Sequence, residues 1–247
     1  MVHDRVLAEF PYRNDYFSRI NAVGMAHCRI LLSRSGDDVL SRMYASRGYS
    51  LDSADDEGRT ALTLEIDGRA MGTLSLNVDD GCLSAEHQYP EFVAHLRDQG
   101  ARICELGKFA MDPAVRSKRA IGALFHMSWI LAFRAHGATD IIIEVNPRHA
   151  GFYQQALYFE AVGEQRHCAR VGAPAVLLHM SNEKVHQLMA QLRGRPSQSQ
   201  RDHAFMSYCF SAAEEEEILS RWTRMEQDIW PAFMARSLSG TREIRPV

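Results

Sequence analysis

The sequence predicts an α/β (α+β) fold, in which a twisted mixed sheet of about seven strands carries helices on both faces. Three observations support this prediction. Between positions 26 and about 180, stretches with a hydrophobic period of two alternate with stretches of period 3.6. Asp67-Gly68 separates two apolar runs, as expected in a tight β-hairpin. Residues 141–143 are an unbroken run of isoleucine, typical of a strand that is covered on both faces.

Glycine and polar residues divide the first half of the chain into short segments. Gly48 ends the first predicted helix, and Gly107 interrupts a predicted strand, as glycine often does at a β-bulge. In chain order, the predicted elements of this half are strand 27–33, helix 37–47, strands 61–66 and 70–77, helix 90–97 and strand 102–111.

The second half opens with the longest predicted helix, which ends at Gly137. The apolar residues of the following segments again alternate between the two periods, so strands and helices continue to about residue 180. The predicted elements of this half are helix 119–136, strand 141–143, helix 150–157, strands 164–171 and 175–180, and helix 181–193.

Beyond residue 180 only helical spacing remains. Residues 194–203 are polar and predict a linker. Ser211 and Glu214 form a capping-box pattern that begins another helix, and Pro231 is expected to kink or end that helix. The predicted organisation is an α/β domain over residues 1–180 and a C-terminal helical extension over 181–247, packed on or beside it.

The composition excludes several classes of protein. Apolar residues make up 46% and charged residues 24% of the 247 positions, as in ordinary globular proteins. The 28 Lys and Arg are balanced by 31 Asp and Glu, so we expect no nucleic-acid partner. Five cysteines without a Cys-x-x-Cys pair, and histidines without ligand spacing, predict neither a disulfide framework nor a metal site.

The sequence shows no segment for targeting or for crossing a membrane. The most apolar stretch, residues 121–133, is shorter than the roughly 20 residues that a membrane-spanning helix needs. The first residues contain no apolar signal core. We therefore expect a soluble protein of the cytoplasm, with peripheral contact to a lipid product left open.

One segment, residues 105–125, has a pattern that favours ligand binding. A predicted strand runs into a turn that contains Arg116, Lys118 and Arg119, and a helix follows. The backbone N–H groups of a helix N-terminus, together with these cations, suit a phosphate group. A strand that splays from its neighbour just before this turn would offer backbone amides to a thiolester or a pantetheine arm. The alternative is a solvated basic loop that caps a core helix.

Residues 146–164, which include Asn146 and Phe152-Tyr153, resemble the last conserved block of the GNAT acyltransferase superfamily. Tyr158 stands where that block usually has glycine, and one extra residue follows Tyr153. The pyrophosphate loop of the superfamily corresponds to residues 116–121, which lack both of its glycines. The resemblance implies a GNAT-like sheet, and the missing glycines disfavour tight binding of coenzyme A.

A narrower resemblance points to the acyl-homoserine lactone synthases and the related long-chain N-acyl amino acid synthases. It spans about residues 27–180, and the order of its motifs is more specific than any one of them. In these families the acyl donor is carried on acyl carrier protein, so a lost pyrophosphate loop is expected. The motifs that carry the resemblance are Arg42-x-Tyr44 with Arg47-Gly-Tyr, Gly72-Thr-Leu-Ser-Leu, Glu105-Leu-Gly-Lys-Phe-Ala-Met, and Val145-Asn-Pro-Arg-His149 with Phe152-Tyr153.

The resemblance implies an N-acyltransferase that moves a medium or long acyl chain from acyl carrier protein to the α-amine of an amino acid. Glu105 is the expected general base, Tyr153 the expected acid for the leaving thiolate, and His149 is expected to hold substrate or relay a proton. No permanently bound cofactor is expected. The predicted donor-binding residues are Phe109, Ala110 and Met111 for the thiolester, and Arg116, Ser117, Lys118, Arg119 and Gly122 for the phosphate of acyl-phosphopantetheine, on acyl carrier protein or on coenzyme A.

Other interpretations remain open. One is an acetyl-coenzyme A-dependent GNAT acetyltransferase of a small amine, and another is a non-catalytic GNAT domain that binds acyl-acyl carrier protein or lipid. An autoinducer synthase is less favoured, since no site for S-adenosylmethionine can be located. Glu105 could instead be a structural carboxylate paired with a cation, and Tyr153 could be a core residue. Cys104 is expected to be a buried structural thiol, because neighbours in a strand face opposite sides.

Overall fold

A computed structural model describes residues 5–12, 26–33, 60–193 and 205–238, with only the backbone described for 226–238. The strands form one eight-stranded sheet in the spatial order β1-β2-β3-β4-β5-β6-β8-β7. Every neighbouring pair is antiparallel except β5 and β6, which are parallel. The strands are β1 Arg5–Pro11, β2 His27–Ser33, β3 Thr60–Ile66, β4 Arg69–Val78, β5 Ile103–Met111, β6 Asp140–Val145, β7 Glu160–Cys168 and β8 Ala173–Ser181.

Helices cover both faces of the sheet, as the sequence predicts. One face carries α1 and a short 3-10 turn, Ser84–His87, over a small core; the other carries the remaining helices over a larger one. A second 3-10 turn, Met206–Tyr208, precedes the last helix. The helices are α1 Pro90–Asp98, α2 Lys118–Trp129, α3 Pro147–Leu157, α4 Asn182–Leu192 and α5 Ala212–Leu238, and α2 continues as a π-helical segment, Ile130–Ala135.

Two turn signals in the sequence are confirmed. Asp67 and Gly68 have φ angles of 51° and 76°, so both adopt the left-handed conformation that a tight two-residue hairpin requires. The Asp67 carboxylate also accepts a hydrogen bond from the backbone N–H of His27 at 2.8 Å, which joins the hairpin to β2. Ser211 and Glu214 form the predicted capping box, in which each side chain accepts a backbone N–H of the other.

The predicted bulge in β5 lies one residue beyond Gly107. Ser75 of β4 pairs with Gly107, whereas Thr73 pairs with Ala110, so β5 contains one extra residue between these pairs. Lys108 takes the left-handed conformation there, with a φ of 50°. A lysine in this conformation is strained relative to glycine, by roughly 1 kcal/mol or more.

The two parallel strands separate beyond this bulge. Their pairing runs from Ile103 with Asp140 to Leu106 with Ile143 and then ends. After that point β5 stays with β4 as far as Met111, and β6 stays with β8. The carboxyl ends of β5 and β6 therefore diverge, and a cleft opens between them, as the predicted splay requires.

Several predicted elements need correction. The sheet has an additional strand, β1, which precedes the first predicted one. The predicted helix 119–136 is α-helical only to Trp129 before it becomes the π-helical segment. Helix α5 continues past Pro231 to Leu238, so the proline does not end it. The predicted helix 37–47, the motif Arg42-x-Tyr44 with Arg47-Gly-Tyr, and the predicted linker 194–203 lie outside the described residues.

The segment after α4 packs against α2. The backbone N–H of Phe205 donates to the carbonyl of Ala156 in α3, and the N–H of Phe210 donates to Nδ1 of His126 in α2. Helix α5 contacts both β1 and the π-helical segment. In the part of the chain that the structure describes, no helix combines the length and apolarity needed to cross a membrane.

Candidate active site

The cleft between the diverging ends of β5 and β6 encloses a cavity of about 170 Å³. Its walls come from β5, β6, the first turn of α3, and the turn between β7 and β8. The side chains of the lining that are capable of acid–base chemistry or ion pairing are Glu105, Lys108, Glu144, Arg148, His149, Tyr153 and Arg170. The cleft thus brings together all three predicted catalytic residues.

Glu105 is buried in the wall of the cleft and held from one side by backbone groups. Its two carboxylate oxygens accept the N–H groups of Ser84 and Ala85, at 2.8 and 3.0 Å. These N–H groups begin the 3-10 turn, where no backbone acceptor is available within the turn. The sequence predicts that Glu105 and Cys104 face opposite sides of β5. The structure confirms this prediction, because Cys104 lies in the core on the other face of the sheet. Burial raises the pKa of the Cys104 thiol to about 12, so it is inert at neutral pH.

An ion-pair cluster fixes the turn that holds Glu105. Arg97 of α1 donates to Asp79 at 2.7 Å and to Glu86 at 2.5 Å. Hydrogen bonds from this guanidinium hold the pKa of both carboxyls below the ordinary range. Glu86 also accepts the backbone N–H of Leu83, so the cluster reaches the residue that precedes Ser84. The position of Glu105 is therefore set by a rigid neighbour rather than by a mobile loop.

Tyr153 lies on the opposite wall and is almost fully buried. Four aromatic rings surround it edge-on, with centroids between 5.1 and 6.4 Å away: Phe109, Phe125, Phe152 and Phe159. Helix α3 places it there, with Asn146 as the N-cap. At the other end of α3, Tyr158 adopts a φ of 62°, the left-handed conformation that explains why related blocks use glycine at this position.

His149 lies on the rim, in the first turn of α3. Nε of Arg148 donates to Nε2 of His149 at 3.0 Å, so the imidazole carries its proton on Nδ1 when neutral. Both side chains are exposed. His149 is therefore placed to meet a substrate that enters the cleft, while Arg148 adds positive charge at the entrance.

Sequence reasoning did not assign four charged residues of the cleft, Lys108, Glu144, Arg148 and Arg170. Glu144 has only 9% of its side chain exposed; one oxygen lies 3.9 Å from Arg170, and the other has no hydrogen-bond partner. Burial and the neighbouring Glu144 raise the pKa of the Cys168 thiol. Lys108 enters the lining at the bulge of β5. For Glu144 the sequence did contain a signal, because it is a single acidic residue inside the apolar strand 141–145.

The predicted donor-binding residues divide into two groups. Phe109 lines the cleft and stacks on Phe152 at 6.1 Å, whereas Ala110 and Met111 continue the pairing with β4 beyond it. Residues 116–122 are not part of the cleft lining. Ser117 is the buried N-cap of α2 and accepts the N–H of Ala120.

The predicted phosphate-binding turn is partly committed to other contacts. The Arg119 guanidinium donates to the carbonyls of Tyr208 and Cys209 at 2.7 and 2.6 Å, and pairs with Glu214. A Cβ atom on Gly122 would lie 2.9 Å from the carbonyl oxygen of Phe205. These contacts give Arg119 and Gly122 a structural role in holding the segment after α4.

The remaining residues of the turn stay at the surface. Arg116 is exposed, and its backbone N–H donates to the hydroxyl of Tyr12. The Lys118 ammonium lies 5.9 Å from the ring centre of Tyr208. With Ser117, these residues surround the N-terminus of α2. Arg116 and Lys118 therefore flank the N-terminus of α2, which Ser117 caps, and their role in binding phosphate stays a prediction.

Comparison with known proteins places this chain in a family. The family model of the N-acyl amino acid synthase FeeM matches residues 37–181, more than half of the chain. The solved structure of FeeM, an N-acyl amino acid synthase from uncultured soil microbes, is 27% identical. That match covers 67% of this chain and 97% of that one, with a TM-score of 0.58.

More distant similarity extends to the AHL synthase LasI, at 12% identity and a TM-score of 0.40, over 57% of this chain and 79% of that one. Among curated proteins none matches significantly. The narrower resemblance stated from the motifs agrees with the family match. The chain belongs to the FeeM N-acyl amino acid synthase family, and it is an acyltransferase with a GNAT-like fold.

Proposed function

We propose that the chain transfers a medium or long acyl chain from acyl carrier protein to the α-amine of an amino acid. One observation carries this proposal: the fixed carboxylate of Glu105 and the buried phenol of Tyr153 line the same cleft between two diverging strands. A base on one wall and an acid on the other suit the attack of an amine on a thiolester.

The donor is proposed to enter along the separated end of β5. Backbone N–H groups near Phe109 would bind the thiolester carbonyl, and the N-terminus of α2 would bind the phosphate of phosphopantetheine. Arg116 and Lys118 supply positive charge there. The loop lacks the glycines of a pyrophosphate site, and this absence favours a donor with one phosphate near the turn, as on acyl carrier protein.

The reaction requires an uncharged amine, which the α-ammonium of an amino acid becomes by losing a proton to Glu105. The nitrogen then bonds to the thiolester carbon, and the oxyanion that forms accepts backbone N–H groups. Collapse of this intermediate breaks the carbon–sulfur bond. Glu105 releases the first proton to solvent and then takes up the second proton of the nitrogen. The thiolate leaves with the proton of Tyr153, the phenolate regains a proton from solvent, and the amide product forms.

The acceptor is proposed to bind beside Glu105, where the cleft carries charges of both signs. Glu144 offers a buried oxygen without a partner, which suits the ammonium of an amino acid before deprotonation. Arg170, which lies 3.9 Å from Glu144, and Lys108 also line the cleft and suit the carboxylate of the amino acid. An acceptor with both groups fits the lining better than a simple amine does.

The decisive experiment compares donors and acceptors with the purified full chain. Dodecanoyl-acyl carrier protein, dodecanoyl-coenzyme A and acetyl-coenzyme A are each incubated with the twenty amino acids, and products are identified by mass spectrometry. We expect N-dodecanoyl amino acids, formed with far higher kcat/KM from the carrier protein. Efficient acetylation from acetyl-coenzyme A would instead support the acetyltransferase interpretation.

A charge reversal tests the donor site separately. Arg116→Glu should slow association with the carrier protein, and the difference should shrink at high salt because exposed charges are screened. Arg69→Glu, at the exposed hairpin of β4, is the matched control and should leave the rate unchanged. Equal effects of both variants would remove the basic turn from the proposal.

A further inference from the structure

The loop that follows β4, residues 79–87, returns to the neighbouring strand β5 and touches it at two points. At its first residue, the backbone N–H of Asp79 donates to a carbonyl of β5 at 2.9 Å, two positions before Glu105. Near its other end, the N–H groups of Ser84 and Ala85 donate to the two carboxylate oxygens of Glu105. The second point of contact is therefore the proposed base itself.

A single guanidinium joins the two ends of this loop. Arg97 of α1 donates to both oxygens of Asp79 at 2.7 Å and to both oxygens of Glu86, at 2.5 and 3.0 Å. The Arg97 side chain is 31% exposed, and an isolated ion pair at that exposure would contribute little. Here, however, the planar guanidinium matches two carboxylates at once, which is the strong form of such contacts. In the described part of the chain, no other cation pairs with Asp79 or Glu86.

The loss of Arg97 would do more than delete these contacts. Asp79 and Glu86 lie close enough to share one guanidinium, so without it their like charges repel each other. The attraction that closes the 79–87 loop would become a repulsion that opens it. The N–H groups of Ser84 and Ala85 would then move away from Glu105, which would lose both its orientation and two donors that favour its ionised form.

We propose that Arg97 is a positioning residue for acyl transfer, which keeps the 79–87 loop closed so that Ser84 and Ala85 hold Glu105 in the wall of the cleft. Arg97 does not line the cleft, so it acts through the loop and not on the substrate. This role rests on the proposed function, in which Glu105 is the base.

Amide hydrogen exchange, followed by NMR on the full chain, tests the closed loop without any substrate. In Arg97→Met the N–H groups of Ser84 and Ala85 should exchange at least about tenfold faster than in the wild type. The loss of one hydrogen bond to a charged group is sufficient for a change of this size.

Two further variants separate the closed loop from other effects of charge. Glu86→Gln combined with Arg97→Met keeps the net charge and the acceptor for the N–H of Leu83, but no group then joins the two ends of the loop. Its exchange should be slower than in Arg97→Met and still faster than in the wild type. Arg29→Met removes a pair of similar exposure, with Glu65 on β3, and is the matched control that should exchange normally.

Kinetics with dodecanoyl-acyl carrier protein distinguish positioning from a general loss of structure. In Arg97→Met we expect kcat to fall about 10- to 100-fold with the KM of the amino acid unchanged, because a displaced base reduces rate rather than binding. The acid limb of the pH profile of kcat/KM should move up by about 1 pH unit, since Glu105 loses donors to its ionised form. The other titratable side chains that line the cleft are the same in all variants: Lys108, Glu144, Arg148, His149, Tyr153 and Arg170.

Several outcomes would overturn this role of Arg97. They are unchanged exchange at Ser84 and Ala85 in Arg97→Met, wild-type exchange in the double variant, an unmoved pH profile, and an equal fall in kcat in Arg29→Met. Fast exchange with a normal kcat would also overturn it, since the loop would then not position the base. An inactive wild type would refute the proposed function, whereas an active wild type with a normal Arg97→Met would refute the role of Arg97 alone.

Discussion

Two buried carboxylates of this protein are held in opposite ways. Glu105 in the cleft is 3% exposed and is fixed by two uncharged backbone N–H groups. Glu215 at the start of α5 is 8% exposed and is bound by His126, Arg134 and Arg193. Burial would raise the pKa of Glu215, but the hydrogen bond from His126 and the charges of the two arginines outweigh it and lower that pKa.

The difference separates a group suited to chemistry from a group suited to structure. Partners with full positive charge hold a carboxylate in its ionised form and reduce its tendency to take up a proton. Backbone N–H groups also favour the ionised form, but they carry no net charge, and they fix the geometry of the carboxylate. Glu215 therefore joins α5 to α2 and α4, whereas Glu105 lies in the wall of the cleft, where we propose that it takes a proton from the substrate amine.

The largest expected effect is the loss of activity in Glu105→Gln. Glutamine keeps the shape and one acceptor oxygen but removes the proton affinity, so kcat should fall about 100- to 10,000-fold. The free energy of unfolding should fall by about 1–3 kcal/mol, because the amide NH₂ faces one backbone N–H that loses its acceptor. Acyl transfer assays and urea denaturation of the same preparation measure the two quantities. Normal turnover in the variant would make Glu105 a structural residue like Glu215.

The reverse pattern is expected for Glu215→Gln. Removing the charge of Glu215 leaves Arg193 without its charge partner and Arg134 with only the exposed Glu216, and both arginines are partly exposed, so about 2–3 kcal/mol of stability should be lost. The kcat of the folded fraction should stay unchanged, since no residue of this network lines the cleft. Active-site titration corrects for unfolded protein. A fall in kcat with unchanged stability would contradict the comparison.

Local signals in the sequence were sufficient for much of the sheet. The Asp67-Gly68 hairpin, the capping box of α5 and the face to which Glu105 points each depend on residues within a few positions of each other. Strand β1 was missed because a register shift between Val6 and Ala8 breaks its alternation and because its partner lies beyond a long connection. Pairing across such a distance leaves no periodic trace in either segment.

The cleft and the contacts of the C-terminal segment show the same limit of prediction from sequence, because they join residues that are far apart along the chain. Glu105 and Tyr153 were found through motifs, but Arg170 enters the cleft from a turn that has no motif. The role predicted for Arg119 overlooked carbonyl acceptors about ninety positions away, which take up its guanidinium. A basic residue at a helix N-terminus suggests a phosphate site whether it contacts a ligand or an internal carbonyl. Only the tertiary packing distinguishes these two cases.

A smaller effect is expected where the C-terminal segment crosses α2. In Gly122→Ala the new methyl group would lie 2.9 Å from the carbonyl oxygen of Phe205, so the backbone must shift. We expect a loss of about 1–3 kcal/mol, against the usual gain for alanine in a helix. Gly151→Ala in α3 is the matched control, because nothing lies within 4 Å of its new Cβ, and it should be neutral or stabilising. Urea denaturation measures both, and equal stabilisation would disprove the close contact.

The smallest expected effect is a pH dependence that arises at His126. Burial lowers the pKa of this imidazole, and its Nδ1 is occupied by the N–H of Phe210, so the folded protein keeps it neutral. The unfolded chain takes up a proton there as the pH falls through about 6.5, and the folded chain does not. Stability should therefore fall as the pH is lowered from 7.5 to 5.5, by a contribution that approaches about 1.4 kcal/mol. The carboxyl of Glu215 titrates at lower pH and contributes little in this window.

His126→Gln has no ring to protonate, so its overall stability should be lower but its pH slope flatter than that of the wild type. Urea denaturation at several pH values measures both slopes, and parallel slopes would contradict the prediction, because they would mean that the pKa of His126 is the same in the folded and the unfolded protein.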